Sequence, residues 1–148
     1  MAKVLIIFSS IGGNTEMVVK KVAQTMESSG HQVDYRRVDI ADPKEILNYD
    51  LTILASPTYN QGTLEDHFKP FMKSFKKIDL KNRNFGVIGL GDTKYYPEYL
   101  TEAAGILEEE IKKAGANLVT PPLRIGTNPL KMMDKIVVNW AQKVSSLV

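Results

Sequence analysis

Short apolar runs alternate along the chain with segments whose apolar residues recur every three or four positions. Runs of this length predict strands, and the helical spacing between them predicts connecting helices. Five strands are predicted, at residues 4–8, 33–38, 51–55, 85–90 and 118–125. The first, third and fourth are almost continuously apolar, which is typical of strands covered on both faces. The second alternates with charged residues and the fifth contains Pro121 and Pro122, so both are predicted at sheet edges.

Four amphipathic stripes predict the helices that join these strands. Their apolar positions are Val18, Val19, Val22, Ala23 and Met26; Phe68, Phe71, Met72 and Phe75; Leu100, Ala103, Ala104, Leu107 and Ile111; and Met133, Ile136, Val137, Trp140 and Val144. Gly30 and Gly115 stand where helix C-terminal caps belong, and Asn128-Pro129 predicts the start of the last helix. Residues 40–49 favour one or two helical turns.

The predicted fold class is α/β, with a single domain over residues 1–148. Strands one, three and four in the centre fit a doubly wound, five-stranded parallel sheet in the order 2-1-3-4-5, with helices on both faces. Ligands of such sheets bind beyond the carboxyl ends of the strands, at the switch between strands one and three. The loops at 9–16, 56–64 and 89–99 are therefore the candidate site.

Composition narrows the chemistry that these loops can perform. The chain has no Cys and two His, which excludes thiolate nucleophiles and Cys-ligated metals and leaves no expected metal site. A formal charge of +2 is too small to indicate a nucleic-acid partner. The first apolar run is too short for a signal peptide or a membrane span, so we expect a cytoplasmic protein without a membrane partner. Redox chemistry, and other reactions that these side chains cannot perform, would need a bound cofactor.

The loop at 9–16 reads Ser-Ser-Ile-Gly-Gly-Asn-Thr-Glu and runs directly from a strand into a helix. Its amides and hydroxyls would converge on one point, which suits a phosphate. The loop has no Lys or Arg, and it matches neither a nucleoside triphosphate loop nor a dinucleotide fingerprint. In the alternative interpretation, Asn14 or Thr15 only caps the helix. The loop alone does not decide between the two.

Each of the other two loops places tyrosine in a polar, glycine-containing segment after a buried strand. Tyr59 and Tyr95 at neighbouring strand ends could sandwich a flat aromatic ligand while loop amides bind its edge. Alternatively, either tyrosine could simply cover a strand end with its hydroxyl in water.

Together the three loops resemble those of the flavodoxin family, in particular short-chain flavodoxins and the FMN domains of diflavin reductases. The resemblance covers essentially the whole chain. The motifs that carry it are Ser10-Ile11-Gly12-Gly13-Asn14-Thr15-Glu16, Ser56-x-Thr58-Tyr59-x-x-Gly62 and Gly89-x-Gly91-Asp92-x-x-Tyr95. In three places the chain departs from the family pattern: Gly12 stands where threonine is usual, Asn60 stands where glycine usually follows the aromatic residue, and Thr63 stands where an acidic residue is common.

The resemblance implies that FMN is the cofactor. Its phosphate would be bound by Ser10, Asn14, Thr15 and the amides of residues 11–15. Tyr59 and Tyr95 would flank the isoalloxazine, and Asp92 would meet its pyrimidine edge. The whole implied cofactor-binding set is Ser9, Ser10, Ile11, Gly12, Gly13, Asn14, Thr15, Ser56, Pro57, Thr58, Tyr59, Asn60, Gly62, Gly91, Asp92 and Tyr95.

The same resemblance implies a monomeric redox carrier more than an enzyme with its own substrate. Electrons would pass from a flavodoxin reductase-type donor to an acceptor protein through the semiquinone and hydroquinone states of the flavin. Charged residues of segments 57–66 and 89–99 predict an acidic rim that attracts a basic partner surface. These residues are Glu65, Asp66, Asp92 and Glu98, against Lys94 alone.

The residues also bear on three other functions. A response-regulator receiver would need acidic residues where Ser9, Ser10 and Ser56 stand, so that class is excluded. If the chain were a hydrolase that used Ser10 or Ser56 as its nucleophile, it would lack an obvious general base. His31 is expected at the opposite end of the sheet, and His67 is expected near the start of a helix. An FMN-dependent quinone or small-molecule reductase remains the alternative function.

Overall fold

The molecule is built on a parallel sheet with helices against both faces. A computed structural model describes residues 1–9, 13–59, 63–91, 102–126 and 133–148, without the side chains of Tyr59, Thr63 and Leu64. The strands are β1 (Lys3–Phe8), β2 (Gln32–Arg37), β3 (Leu51–Tyr59), β4 (Thr63–Leu64), β5 (Asn84–Leu90), β6 (Asn117–Leu118) and β7 (Leu123–Ile125). The helices are α1 (Asn14–Ser28), a 3₁₀ helix (Pro43–Asn48), α2 (Phe68–Phe75), α3 (Glu102–Lys113) and α4 (Val138–Leu147), which continues a π-helical segment (Met133–Val137).

The strand order confirms the predicted doubly wound topology. The path runs β2-β1-β3-β5-β6, with β7 also pairing with β5, and every pair along it is parallel. The fourth predicted strand is β5, and the fifth is divided into β6 and β7 by residues 119–122, which include both prolines. Among the strands of the described residues, β4 was not predicted; it pairs antiparallel with the end of β3.

Two apolar cores lie on opposite faces of this sheet. One packs α1 and α4 against the sheet, and the other packs α2, α3 and the 3₁₀ helix against its other face. The predicted stripes of α1 and α2 are fully buried, as are the described positions of α3. Leu100 and Asn128-Pro129 lie outside the described residues. Among the helices of the described part, none combines the length and apolar character needed to cross a bilayer.

The last stripe was predicted correctly except at Ile136, whose side chain is 42% exposed. Residues Met133–Val137 form a π-helical turn, in which hydrogen bonds join residues five apart instead of four. The angle between successive side chains is therefore smaller than in an α-helix, and Ile136 turns away from the core. Trp140 packs in the core as expected, and its Nε1–H donates to the carbonyl of Pro121 at 3.1 Å. This bond ties α4 to the break between β6 and β7.

His31 connects the two chain ends at the amino edge of the sheet. The N–H of Ala2 donates to Nδ1 at 2.9 Å, and Nε2 lies 3.0 Å from the carbonyl oxygen of Ser145. Since Nδ1 accepts, Nε2 is the ring nitrogen that donates to the carbonyl of Ser145. His31 therefore lies far from the three candidate loops, as predicted, and is not placed to act as a base there.

A tyrosine hydrogen bond links the edge strand β2 to the 3₁₀ helix. The hydroxyl of Tyr49 donates to Oδ2 of Asp34 at 2.7 Å. Burial, and then the hydrogen bond to Asp34, raise the pKa of Tyr49 above its usual 10.0. The folded state therefore holds this proton more tightly than the unfolded chain, so the stabilisation is complete below pH 10 and is lost as the pH rises further.

We expect Tyr49→Phe to lower the free energy of unfolding at pH 8 by about 1 kcal/mol, the usual contribution of one hydrogen bond. The variant should also lose less stability than the parent protein as the pH rises above about 10. Urea unfolding over that range measures both effects. Tyr35→Phe is the control, since Tyr35 lies next to Asp34 on β2 but is 42% exposed. Equal alkaline slopes for Tyr49→Phe and the parent would contradict the assignment.

Candidate functional site

The three candidate loops leave neighbouring strands at one edge of the sheet. We call it the carboxyl edge, because the carboxyl ends of β1, β3 and β5 meet there. The N–H of Ser9, just past β1, donates to the carbonyl of Ala55 on β3 at 3.1 Å. Further along β3, Ser56 is in register with Gly89 on β5. The structure thus brings the starts of all three predicted loops together.

The first loop ends in an uncapped helix N-terminus. Gly13 occupies the N-cap position of α1 with φ of 85°, and no side chain makes a cap hydrogen bond there. A left-handed backbone of this kind favours glycine. The capping alternative for Asn14 and Thr15 is therefore wrong. Asn14 is exposed, Thr15 is buried, and the amides of the first turn of α1 point to the carboxyl edge without a side-chain acceptor.

Ser9 is the second feature of this loop. Its side chain is 2% exposed, and Oγ has no hydrogen-bond partner among the described residues. A buried hydroxyl left unsatisfied costs about 1–3 kcal/mol. An orphaned donor beside an uncapped helix N-terminus fits a site for an anionic group. Ser10, Ile11 and Gly12, the rest of the predicted phosphate loop, lie outside the described residues.

In the second loop, two hydroxyls brace the backbone. Ser56 is fully buried and its Oγ donates to the carbonyl of Pro57 at 2.8 Å. Oγ1 of Thr58 accepts the N–H of Ala103 at 3.1 Å, which fastens the first turn of α3 to the end of β3. The side chain of Tyr59, together with Asn60 and Gly62, lies outside the described residues. The described part of this loop is therefore a rigid support.

The third loop begins beside a close helix–strand contact. Gly91 donates its N–H to the carbonyl of Ile125 at 2.9 Å, while Asp92 and Tyr95 lie outside the described residues. A Cβ on Gly89 would lie 2.5 Å from Cβ of Ala104 and 2.9 Å from its backbone N. Only glycine permits α3 to approach β5 this closely. Sequence reasoning missed the contact, although a glycine inside a buried strand is a signal of close backbone approach.

The expected acidic rim is wrong at Glu65. This side chain is 1% exposed; Oε2 accepts the backbone N–H of His67 at 3.0 Å and Oε1 lies 2.6 Å from its Nδ1. The carboxylate is turned inward because it satisfies the backbone at the start of α2. The next residue, Asp66, pairs with Lys69 at 3.0 Å. Asp92, Lys94 and Glu98 lie outside the described residues.

Within residues 1–9, 13–59, 63–91, 102–126 and 133–148, no group of three or more His, Asp or Glu could hold a metal ion. Buried polar side chains gather at the carboxyl edge instead. Four of the seven found in those ranges lie there: Ser9, Thr15, Ser56 and Glu65.

Comparisons with known proteins identify the family of this architecture. A family model described as flavodoxin matches residues 6–140. A flavodoxin of Maridesulfovibrio salexigens is 30% identical over 151 residues and covers 100% of each chain. The crystal structure of oxidised flavodoxin 2 from Bacillus cereus has 32% identity and a TM-score of 0.86, covering 99% of this chain and 97% of that one. A Fusobacterium nucleatum flavodoxin bound to flavin mononucleotide shares the fold, with a TM-score of 0.84, 18% identity, and coverage of 99% and 98%.

Proposed function

The chain belongs to the flavodoxin family, and from that membership we propose that it binds FMN at the carboxyl edge and carries electrons between redox partner proteins. The observation that carries the proposal is the orphaned Oγ of Ser9 beside the uncapped N-terminus of α1. Both features lack an acceptor, and a phosphate supplies several. The flavodoxin bound to flavin mononucleotide shares this fold and adds support.

The residues present fit the phosphate of FMN. Hydroxyl and amide donors are available at Ser9 and in the first turn of α1, where the helix dipole also favours negative charge. The described loop residues include no Lys or Arg, so the donors would bind the phosphate as neutral groups. We further propose that the rest of the implied set completes the site, with Tyr59 and Tyr95 flanking the ring and Asp92 at its pyrimidine edge.

When bound, FMN supplies the redox chemistry, because it accepts and releases electrons. The chain's own residues hold and orient it. Ser56 and Thr58 keep the second loop in one conformation through their bonds to Pro57 and Ala103. The contact of Gly89 with Ala104 holds α3 against the strand from which the third loop leaves. A rigid support of this kind would limit rearrangement of the site during electron transfer.

Three further features belong to the proposal. The partners are an electron donor of the flavodoxin reductase type and an acceptor protein. The chain acts as a single domain and a monomer, and it works in the cytoplasm. The partners and the monomeric state rest on the resemblance described above, and the single domain rests on the length of the chain.

The proposal is tested by titrating the apoprotein with FMN and with riboflavin, which lacks the phosphate. FMN should produce a yellow protein and bind at least about tenfold more tightly than riboflavin, the effect of one lost hydrogen bond to a charged group. Quenching of flavin fluorescence measures both affinities. Equal affinities for FMN and riboflavin would show that the chain does not bind the phosphate. A protein that binds neither flavin would overturn the proposal as a whole.

A further inference from the structure

A carboxylate and an imidazole are joined in the turn between β4 and α2. Oε1 of Glu65 lies 2.6 Å from Nδ1 of His67, and Oε2 accepts the backbone N–H of His67 at 3.0 Å. The two side chains differ in their access to water, since that of Glu65 is 1% exposed and that of His67 is 55% exposed. We call this pair the Glu65–His67 dyad. Neither residue belongs to the implied cofactor-binding set.

The dyad holds the imidazole ring in one orientation. A carboxylate only accepts hydrogen bonds, so Nδ1–H of His67 donates to Oε1 of Glu65. Nε2, on the other side of the ring, is left to exchange a proton with water, as the exposure of the side chain allows. The same pairing orients imidazoles that move protons or bind metals in enzymes. A proton can therefore enter or leave at Nε2 without a change in the fold.

The dyad lies close to the loop on which the flavin ring is proposed to bind. Thr63 pairs with Tyr59 across β4 and β3, which places their Cα atoms about 5 Å apart. His67 follows Thr63 by four residues, which span at most about 14 Å. The Cα atom of His67 therefore lies within about 19 Å of that of Tyr59. The N–H of Phe68 returns to the carbonyl of Glu65 at 3.0 Å, and this tight turn shortens the distance further.

A negative charge added to a flavin at Tyr59 would attract a proton to His67. At about 19 Å, Coulomb's law multiplies the proton affinity about 1.5-fold in water and about fourfold at the effective dielectric constant near a protein surface. The distance is an upper limit, so these factors are lower limits. Salt weakens the attraction, because the screening length falls from about 30 Å at 0.01 M to about 10 Å at 0.1 M.

Histidine is the side-chain type that ordinarily titrates between about pH 5 and 8, whereas Asp, Glu and Lys ordinarily titrate outside this range. The chain has two histidines, and the other one, His31, lies at the amino edge. Asp92, Lys94 and Glu98 of the third loop lie outside the described residues. The described charged groups on the elements packed around the dyad are Asp66 and Lys69, which pair at 3.0 Å, with Lys73 on α2, Glu102 on α3, and Lys44 and Glu45 on the 3₁₀ helix.

We propose that the Glu65–His67 dyad is a proton-uptake site coupled to reduction of the bound flavin. The proposal rests on the proposed electron-carrier function. When an electron arrives from the donor protein, Nε2 of His67 takes a proton from water, and the proton returns to water when the electron leaves. No bond to the flavin forms or breaks. By linkage, the midpoint potential of the flavin rises as the pH falls through the titration of His67.

The first measurement follows the ring-proton NMR signals of both histidines against pH in the apoprotein, the oxidised FMN-loaded protein and the fully reduced FMN-loaded protein. At a salt concentration of about 0.01 M, reduction should move the pH midpoint of the His67 signal upward by at least about 0.2–0.6, which is the 1.5-fold to fourfold gain in proton affinity. His31 is the internal control, and its midpoint should not move. The reductant should move neither signal in the apoprotein.

The second measurement is the midpoint potential from about pH 5.5 to 8, in the parent protein, in His67→Gln and in His31→Gln as the matched control. The potential of the parent and of His31→Gln should rise more steeply toward low pH than that of His67→Gln, because proton uptake by the flavin itself is common to all three. Equal slopes in the parent and His67→Gln, or an unmoved His67 signal in the reduced FMN-loaded protein, would overturn the proposal. A chain that takes up no flavin would overturn the electron-carrier function, and the proposal with it.

Discussion

Gly89→Ala should lower the free energy of unfolding by about 2–3 kcal/mol, at the upper end of the range for overpacked cores. The new Cβ would lie 2.5 Å from Cβ and 2.9 Å from the backbone N of Ala104. Helix backbone cannot move aside as a flexible side chain can, so α3 as a whole must shift away from β5. For a chain of this length, the melting temperature should fall by roughly 4–12 °C.

Gly105→Ala is the matched control, since it adds the same methyl group one residue beyond the contact. Its Cβ would have Nη2 of Arg124 as its nearest neighbour, at 3.9 Å. Alanine is a better helix former than glycine, so this variant should gain about 0.5–1 kcal/mol. Urea unfolding of the two variants measures both values. Similar stabilities would show that α3 is free to move, and the close contact would lose its structural role.

Ser9→Ala should weaken FMN binding by roughly 1.5–3 kcal/mol, which is about tenfold to 150-fold in Kd, because a hydrogen bond to the phosphate is lost. The unfolding free energy of the apoprotein should stay the same or rise, since the change removes a buried hydroxyl that has no partner among the described residues. Binding and stability are thus expected to move in opposite directions. Affinity for riboflavin should not change.

Ser145→Ala supplies the matched control for Ser9. Ser145 also has a buried Oγ without a partner among the described residues, but it lies at the amino edge, where its carbonyl faces His31. This variant should have the same small effect on stability and no effect on FMN affinity. Fluorescence titration measures the FMN affinity, and urea unfolding measures the stability. An unchanged FMN affinity in Ser9→Ala would remove Ser9 from the phosphate site.

Local pattern was enough to predict the order of the main strands. Fully apolar strands must be covered on both faces, and the strand containing Pro121 and Pro122 cannot sit in the centre, so few orders remain. The observed path β2-β1-β3-β5-β6 agrees, with the break between β6 and β7 at the prolines. Apolar periodicity also predicted the buried faces of the helices.

Features that depend on a tertiary partner could not be predicted in this way. Glutamate is a residue type usually found at the surface, yet Glu65 is buried because its carboxylate binds the backbone and side chain of His67. The two-residue strand β4 is too short for a periodic signal. Ile136 is exposed because a π-helical turn changes the angle per residue that the pattern assumes.

For the candidate site, the sequence predicted where the loops meet but not how each residue acts. The carboxyl edge and the start of each loop lie as expected. Ser56 and Thr58 brace the backbone through their hydroxyls, a role that residue type alone does not reveal. The cofactor-binding role of every residue in the implied set stays a prediction.

The contacts of His31 with Ala2 and Ser145 bear on how the protein can be fused to another domain or immobilised on a surface. Ala2 and Ser145 are held by the same imidazole, so both ends of the described chain emerge from the amino edge. A surface anchor, an affinity tag or a fused electron-transfer domain added at either end therefore leaves the carboxyl edge facing outward. Immobilised on an electrode by either end, the protein would present the same face to the solution.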